Sequence, residues 1–126
     1  MRYLMFVKTD ESMPAGPPPP ALYQAIGELG EQQAKDGSMI LTGGLHGSAE
    51  GALVNLADGR IDVIDGPFAE SKELIGGFAM FDVRDKDEAL EHARRFLQVH
   101  ADHWPGCVAT VEVRRVMEDN EFVMPS

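Results

Sequence analysis

The sequence predicts one α+β domain of ferredoxin-like plan, in the order strand, helix, strand, hairpin, strand, helix, strand. Three observations carry this. Tyr3-Leu4-Met5-Phe6-Val7 and Phe78-Ala79-Met80-Phe81-Asp82-Val83 are short runs with apolar residues on both alternating faces, the pattern of strands covered on two sides. Each run is followed by a segment with apolar residues at helical spacing. Between them, Asp58-Gly59 separates two apolar runs, and that dipeptide accepts the positive φ of a tight hairpin turn.

The elements follow in order. After the first strand, residues 13–20 form a proline-rich loop, and Pro17 to Pro20 favour an extended, stiff lead-in to the first helix. The tract suits a plain loop or a recognition segment. Leu22, Ala25, Ile26 and Leu29 give the first helix its stripe. Gly27 and Gly30 weaken that helix, each by about 1 kcal/mol against alanine, a cost that fits close approach to a sheet. Asp36-Gly37 ends it. Met39-Ile40-Leu41 is a strand running into Gly43-Gly44, and Ala52–Leu56 with Ile61–Ile64 form the hairpin.

After the strand at Phe78, Asp85-Lys86-Asp87-Glu88 resembles a capping box with Asp in the leading position. The second helix turns Ala89, Leu90, Ala93, Phe96 and Leu97 inward and carries Arg94 and Arg95 toward its C-terminal end. His92, among Glu91, Arg94 and Arg95, reads as a solvated position. Trp104-Pro105-Gly106 breaks the chain before a last strand from Val108 to Val116. Residues 1–116 make a single domain, and 117–126 an acidic tail.

Two helices cover one face of such a sheet. The strands are apolar on both, so the second face needs a cover, since a large bare apolar patch is uncommon on a monomer. The simplest cover is a second copy related by two-fold symmetry.

At 126 residues the chain can bury a real core. Its 44% hydrophobic and 25% charged residues are ordinary for a globular protein. A net charge of −10 argues against a nucleic-acid partner or an anionic membrane surface, both of which ask for a basic face. The single cysteine, Cys107, excludes an internal disulfide and suits a small buried apolar role. The apolar start at Tyr3–Val7 is too short for a membrane span or a signal peptide's apolar region. A cytoplasmic protein is the expectation.

Asp65-Gly66-Pro67-Phe68-Ala69-Glu70-Ser71-Lys72-Glu73 is the densest stretch of chemistry in the chain. Asp65 can accept a backbone hydrogen bond, Gly66 tolerates unusual dihedrals, and Pro67 fixes φ. The stretch fits first a tight connection with a solvated charge cluster, and second a pocket wall with an acid, a cation and an aromatic. Extended through Leu74-Ile75-Gly76-Gly77-Phe78, it resembles the signature of the DGPF-domain proteins of the YCII-related family. The opening Met1–Met5 strand and Gly43-Gly44-Leu45-His46 are similar to that family too. The resemblance covers most of the chain and implies a dimeric α+β barrel, but little about function. It also implies a link to extracytoplasmic-function sigma factors, hence a regulatory partner.

Two departures from the family pattern stand out. Some relatives pair a histidine on the first helix with an aspartate; here that helix reads Leu22-Tyr23-Gln24-Ala25-Ile26, with no histidine. Many DGPF proteins have Glu where this chain has Gly44.

His46, held between Leu45 and Gly47 at a strand end, is the candidate general acid or base. Asp65 is its candidate orienting partner. Phe68, Glu70, Lys72 and Phe78 are the candidate ligand contacts, with Lys72 holding an anion. His100-Ala101-Asp102-His103 offers at most two metal ligands and lacks a third at a suggestive spacing, so no metal and no cofactor are expected. Phosphate-cradle and G-x-S-x-G patterns are absent. Three functions remain: a small-molecule binding or sensor module, a metal-independent enzyme of isomerase or monooxygenase type, and a dimeric interaction platform.

Overall fold

The alternation of Tyr3 and Met5 against Leu4 and Phe6 becomes the two faces of β1 (Arg2–Thr9). In the computed structural model, which describes residues 1–10, 16–67, 74–118 and 120–121, β1 lies between β5 (Leu74–Asp82) and β6 (Ala109–Arg115). With β2 (Met39–Gly44) at the far edge, the sheet order is β2-β5-β1-β6, antiparallel throughout. α1 (Pro20–Lys35) and α2 (Lys86–His103) connect the strands. The fold is α+β, with the sheet order compatible with a ferredoxin-like plan.

Register decides which residues share a face. Tyr3 lies opposite Phe81 and Arg115, and Met5 opposite Ala79 and Val113. Tyr3, Met5, Phe81 and Val83 meet Ala89 and Ala93 of α2 in one buried cluster. The two alanines, at 0% and 7% exposure, let the helix backbone sit close to the sheet. The opposite face carries Leu4 with Met80, and Phe6 with Phe78. No helix among the described residues packs there, and these four side chains are half-buried. Lys8 and Glu112 pair at 2.7 Å near its β6 side.

Helix ends follow local chemistry. α1 begins after Pro19, in extended geometry with ψ 152, and has Pro20 at its first position, where the missing N–H costs nothing. It ends at Asp36, followed by Gly37 at φ +78. The expected close approach through Gly27 and Gly30 is not found. A Cβ at Gly27 would meet nothing within 4 Å, and one at Gly30 only the Met39 methyl at an ordinary 3.7 Å. α2 is capped as its sequence indicates: the Asp85 carboxylate accepts the Glu88 backbone N–H at 2.9 Å.

β3 (Ala52–Ala57) and β4 (Arg60–Asp65) form a separate two-stranded ladder. The turn puts Asp58 at φ 53 and Gly59 at φ 75, both left-handed, as a two-residue hairpin asks. Every residue of both strands is exposed. Val54 and Val63, then Leu56 and Ile61, pair on one face and stay 64–72% exposed. At the base of the hairpin the Gly66 N–H donates to the Gly51 carbonyl at 2.9 Å. A Cβ on Gly66 would overlap the Ser48 carbonyl oxygen, so the position needs glycine.

Candidate functional site

A pair of glycines hollows out one end of the sheet. Gly44 and Gly77 lie opposite one another on the helix-covered face, in line with Val7. A Cβ at Gly44 would meet nothing within 4 Å. Gly43 and Gly76 flank them. With no side chain at Gly44 or Gly77, α1 and α2 roof a cavity of about 510 Å³ there. Leu22, Ile26 and Leu29 line it from α1, and Phe96 from α2. Its size and apolar character match small-molecule sites.

Few polar groups enter it. His92 is buried, and its ring stacks on Phe81 with centroids 4.3 Å apart. The buried Gln33 amide lies 3.1 Å from His92 Nδ1. An amide N–H donating there places the imidazole proton on Nε2. Burial holds the His92 pKa below the usual histidine value, and nearby Arg95 adds to the effect.

His100, also buried, donates from Nδ1 to the Phe96 carbonyl at 2.9 Å, so Nε2 carries the lone pair of the neutral ring. Its ring lies 4.5 Å from Phe96 and 6.4 Å from Trp104. Trp104 is 7% exposed, and its indole N–H has no acceptor among the described residues. Leaving such a donor unpaired costs about 1–3 kcal/mol.

The residues expected from sequence fall in three places. Phe78 borders this cavity. His46 is at the surface, its side chain 90% exposed and 3.3 Å from Glu50. Asp65 is exposed at the end of β4. Their two segments do meet, through Gly66 and the turn Ser48–Glu50, but neither residue lines the cavity. Phe68, Glu70 and Lys72 lie outside the described residues.

The reading of His92 as a solvated position is corrected: it is 8% exposed, with a side-chain partner on the other helix. Its charged sequence neighbours hid it. Positions 89, 92, 93, 96 and 100 share one helical face, so His92 and His100 belong to the Ala89–Ala93–Phe96 stripe. In the His100–His103 stretch, His100 is tied inward while Asp102 accepts from Gln98 at 2.8 Å. No group of three or more potential metal ligands occurs among the described residues. Cys107 is half-buried rather than fully buried, and desolvation raises its thiol pKa.

Such a glycine-floored cavity under two helices, on a sheet of this order, defines a small α+β domain with a largely apolar hollow. The sequence model of the YCII-related domain matches residues 1–117, and the chain belongs to that family. It is also similar to an uncharacterised protein of Rhizobium meliloti (strain 1021), 46% identical over 43 residues. That match spans 34% of this chain and 35% of the relative's own length. No helix among the described residues is long and apolar enough to cross a membrane.

Proposed function

We propose that the protein is a small-molecule-binding module of the YCII-related family, working as a homodimer. The observation that carries this reading is the cavity above Gly44 and Gly77, about 510 Å³ in volume, with the imidazoles of His92 and His100 at its wall. A sensor or regulatory role, with a sigma factor as the downstream partner, is the form that family resemblance gives to the reading.

Dimer formation draws support from two apolar surfaces. One is the uncovered sheet face bearing Leu4, Phe6, Phe78 and Met80. The other is the hairpin face with Val54, Leu56, Ile61 and Val63. Exposed apolar patches of this kind mark interaction sites, and a dimeric α+β barrel covers the first of them.

Nuclear magnetic resonance screening against mixtures of small aromatic and aliphatic compounds tests the site. Binders are expected to shift the amides of Gly44 and Gly77 together with the Trp104 indole. Binders that shift only residues elsewhere sink the proposal.

A second reading is catalytic. His100, with Nδ1 engaged by the Phe96 carbonyl, leaves Nε2 as the ring's lone-pair nitrogen, the tautomer a general base in a metal-independent proton transfer uses. His46 and Asp65 are the acid–base candidates at the surface turn. Conversion of a bound compound over hours, lost in His100→Phe and kept in His46→Ala, supports the cavity as the reaction site. The reverse pattern assigns the chemistry to the turn.

A further inference from the structure

We propose that the cavity takes uncharged, predominantly apolar small molecules, and that a proton on His92, in its wall, weakens their binding. This rests on the reading of the cavity as a small-molecule site. Charge carries the first part. The described residues that line the cavity include no Lys, Arg, Asp or Glu. Thr42 Oγ1 donates to the Phe78 carbonyl at 3.0 Å, Gln33 meets His92, and His100 meets the Phe96 carbonyl, so each already has a partner within the protein. A charged ligand gives up its hydration there with no opposite charge to replace it. An apolar ligand gains by leaving water.

Position carries the second part. Among the described residues, His92 is the one that lines both this cavity and a polar pocket formed by Asp36, Ser38, Arg84, Glu88, Glu91 and Arg95. Of the residues that line the cavity, Phe81 of β5 stacks on the ring at 4.3 Å, and the Gln33 amide of α1 lies 3.1 Å from Nδ1; both are uncharged. The charged groups belong to the polar pocket. Asp36, at the end of α1, and Glu88 and Glu91 of α2 attract a proton to His92, while Arg95 opposes it. Arg84, just before α2, is paired with Glu88 at 2.7 Å. A ligand in the cavity leaves those charges in place but takes water from the imidazole wall, which disfavours the charged ring. The coupling is reciprocal, so the proton weakens the ligand by the same factor. Protonation also puts a hydrogen on Nδ1, and the Gln33 amide then has to turn its oxygen toward the ring to keep the bond.

Benzyl alcohol, benzoate and benzylammonium share one ring and differ in charge at pH 7.5. Titrations read at the Gly44 and Gly77 amides compare them. Benzyl alcohol is expected to bind at least about tenfold tighter than either ion, a modest fraction of the cost of burying an unpaired charge. Either ion binding as tightly overturns the uncharged class, and benzoate doing so returns Lys72, the cation expected from sequence, to the site. The proton on the ring carbon between the two nitrogens follows the titration of His92. It is one of four histidine signals, identified by its loss in His92→Gln. Saturating benzyl alcohol is expected to lower the His92 midpoint by at least about half a pH unit, which is about threefold in affinity between the two protonation states.

A midpoint that stays in place while the glycine amides respond overturns the role of His92 and leaves the cavity standing. A His92 that stays neutral down to unfolding in the free protein overturns that role too. Glycine amides unmoved by all three probes overturn the cavity reading and this one with it. Gly44→Val, at a position where an added Cβ meets nothing within 4 Å, fills the floor and is expected to weaken benzyl alcohol at least about tenfold, read at Gly77. Gly44→Ala is the milder variant if a well-dispersed spectrum is lost. Undiminished binding in a folded variant places the probe elsewhere and overturns the proposal.

Discussion

Gln33 of α1 and His92 of α2 meet side chain to side chain at 3.1 Å, across 59 residues of sequence. Both are buried, and the contact joins the two helices beside the cavity. Gln33→Ala is expected to destabilise the fold by about 1–3 kcal/mol, since it leaves the imidazole nitrogen buried without its donor. Urea melts measure this. An unchanged midpoint would show that the contact adds nothing to the folded state.

The same histidine makes stability depend on pH. Its folded pKa lies below the ordinary value of about 6.5. The unfolded chain therefore takes up the proton more readily, and stability falls as pH drops below that value. The contribution is complete above it. Melts at pH 7.5 and 5.5 should show a loss that His92→Gln reduces. Asp36 and Glu112, also with lowered values, act in the same direction but in a lower window, around and below the ordinary carboxylate values near 4. An identical pH response in the variant removes His92 from this role.

Gly66 is expected to be the least replaceable of the turn glycines. Gly66→Ala drives a methyl group into the Ser48 carbonyl, and strain of that kind costs about 1–3 kcal/mol or more. Gly59→Ala, at φ +75 with open space around it, should cost only about 1 kcal/mol. Denaturant melts of the two variants compare them directly, and the order Gly66 above Gly59 is the outcome to check.

Asp85→Ala should cost about 1 kcal/mol through loss of the bond to the Glu88 N–H, while Asp85→Ser keeps most of it. Thermal unfolding by circular dichroism distinguishes the pair. Equal losses in both would mean that capping is not what Asp85 contributes.

Light scattering at micromolar concentration is expected to give twice the chain mass of 13.8 kDa. Leu56→Glu with Ile61→Glu, at positions 72% and 70% exposed in one chain, should lower that mass if the hairpin face meets the partner. A wild-type monomer removes the dimer proposal. A dimer indifferent to the double variant confines the contact to the sheet face.

The sequence alone determined the elements and their order, because the signals are local. Asp58-Gly59 specifies a turn, Asp85 caps a helix, and the alternation in Tyr3–Val7 specifies a strand with two apolar faces. Gly66 could be read as a turn glycine, but the Ser48 carbonyl that excludes a side chain there comes from a segment 18 residues earlier in the chain. The cavity was not legible. It arises where Gly44 and Gly77 fall into register across two strands, and no property of either segment fixes that register. His46 and Asp65 attract attention through their glycine and proline neighbours, yet tertiary structure leaves both exposed. His92 looks solvated beside Glu91, Arg94 and Arg95, yet helical phase and the approach of Gln33 from α1 bury it. Local backbone preference is written residue by residue, whereas burial is settled by which surfaces the folded chain brings together.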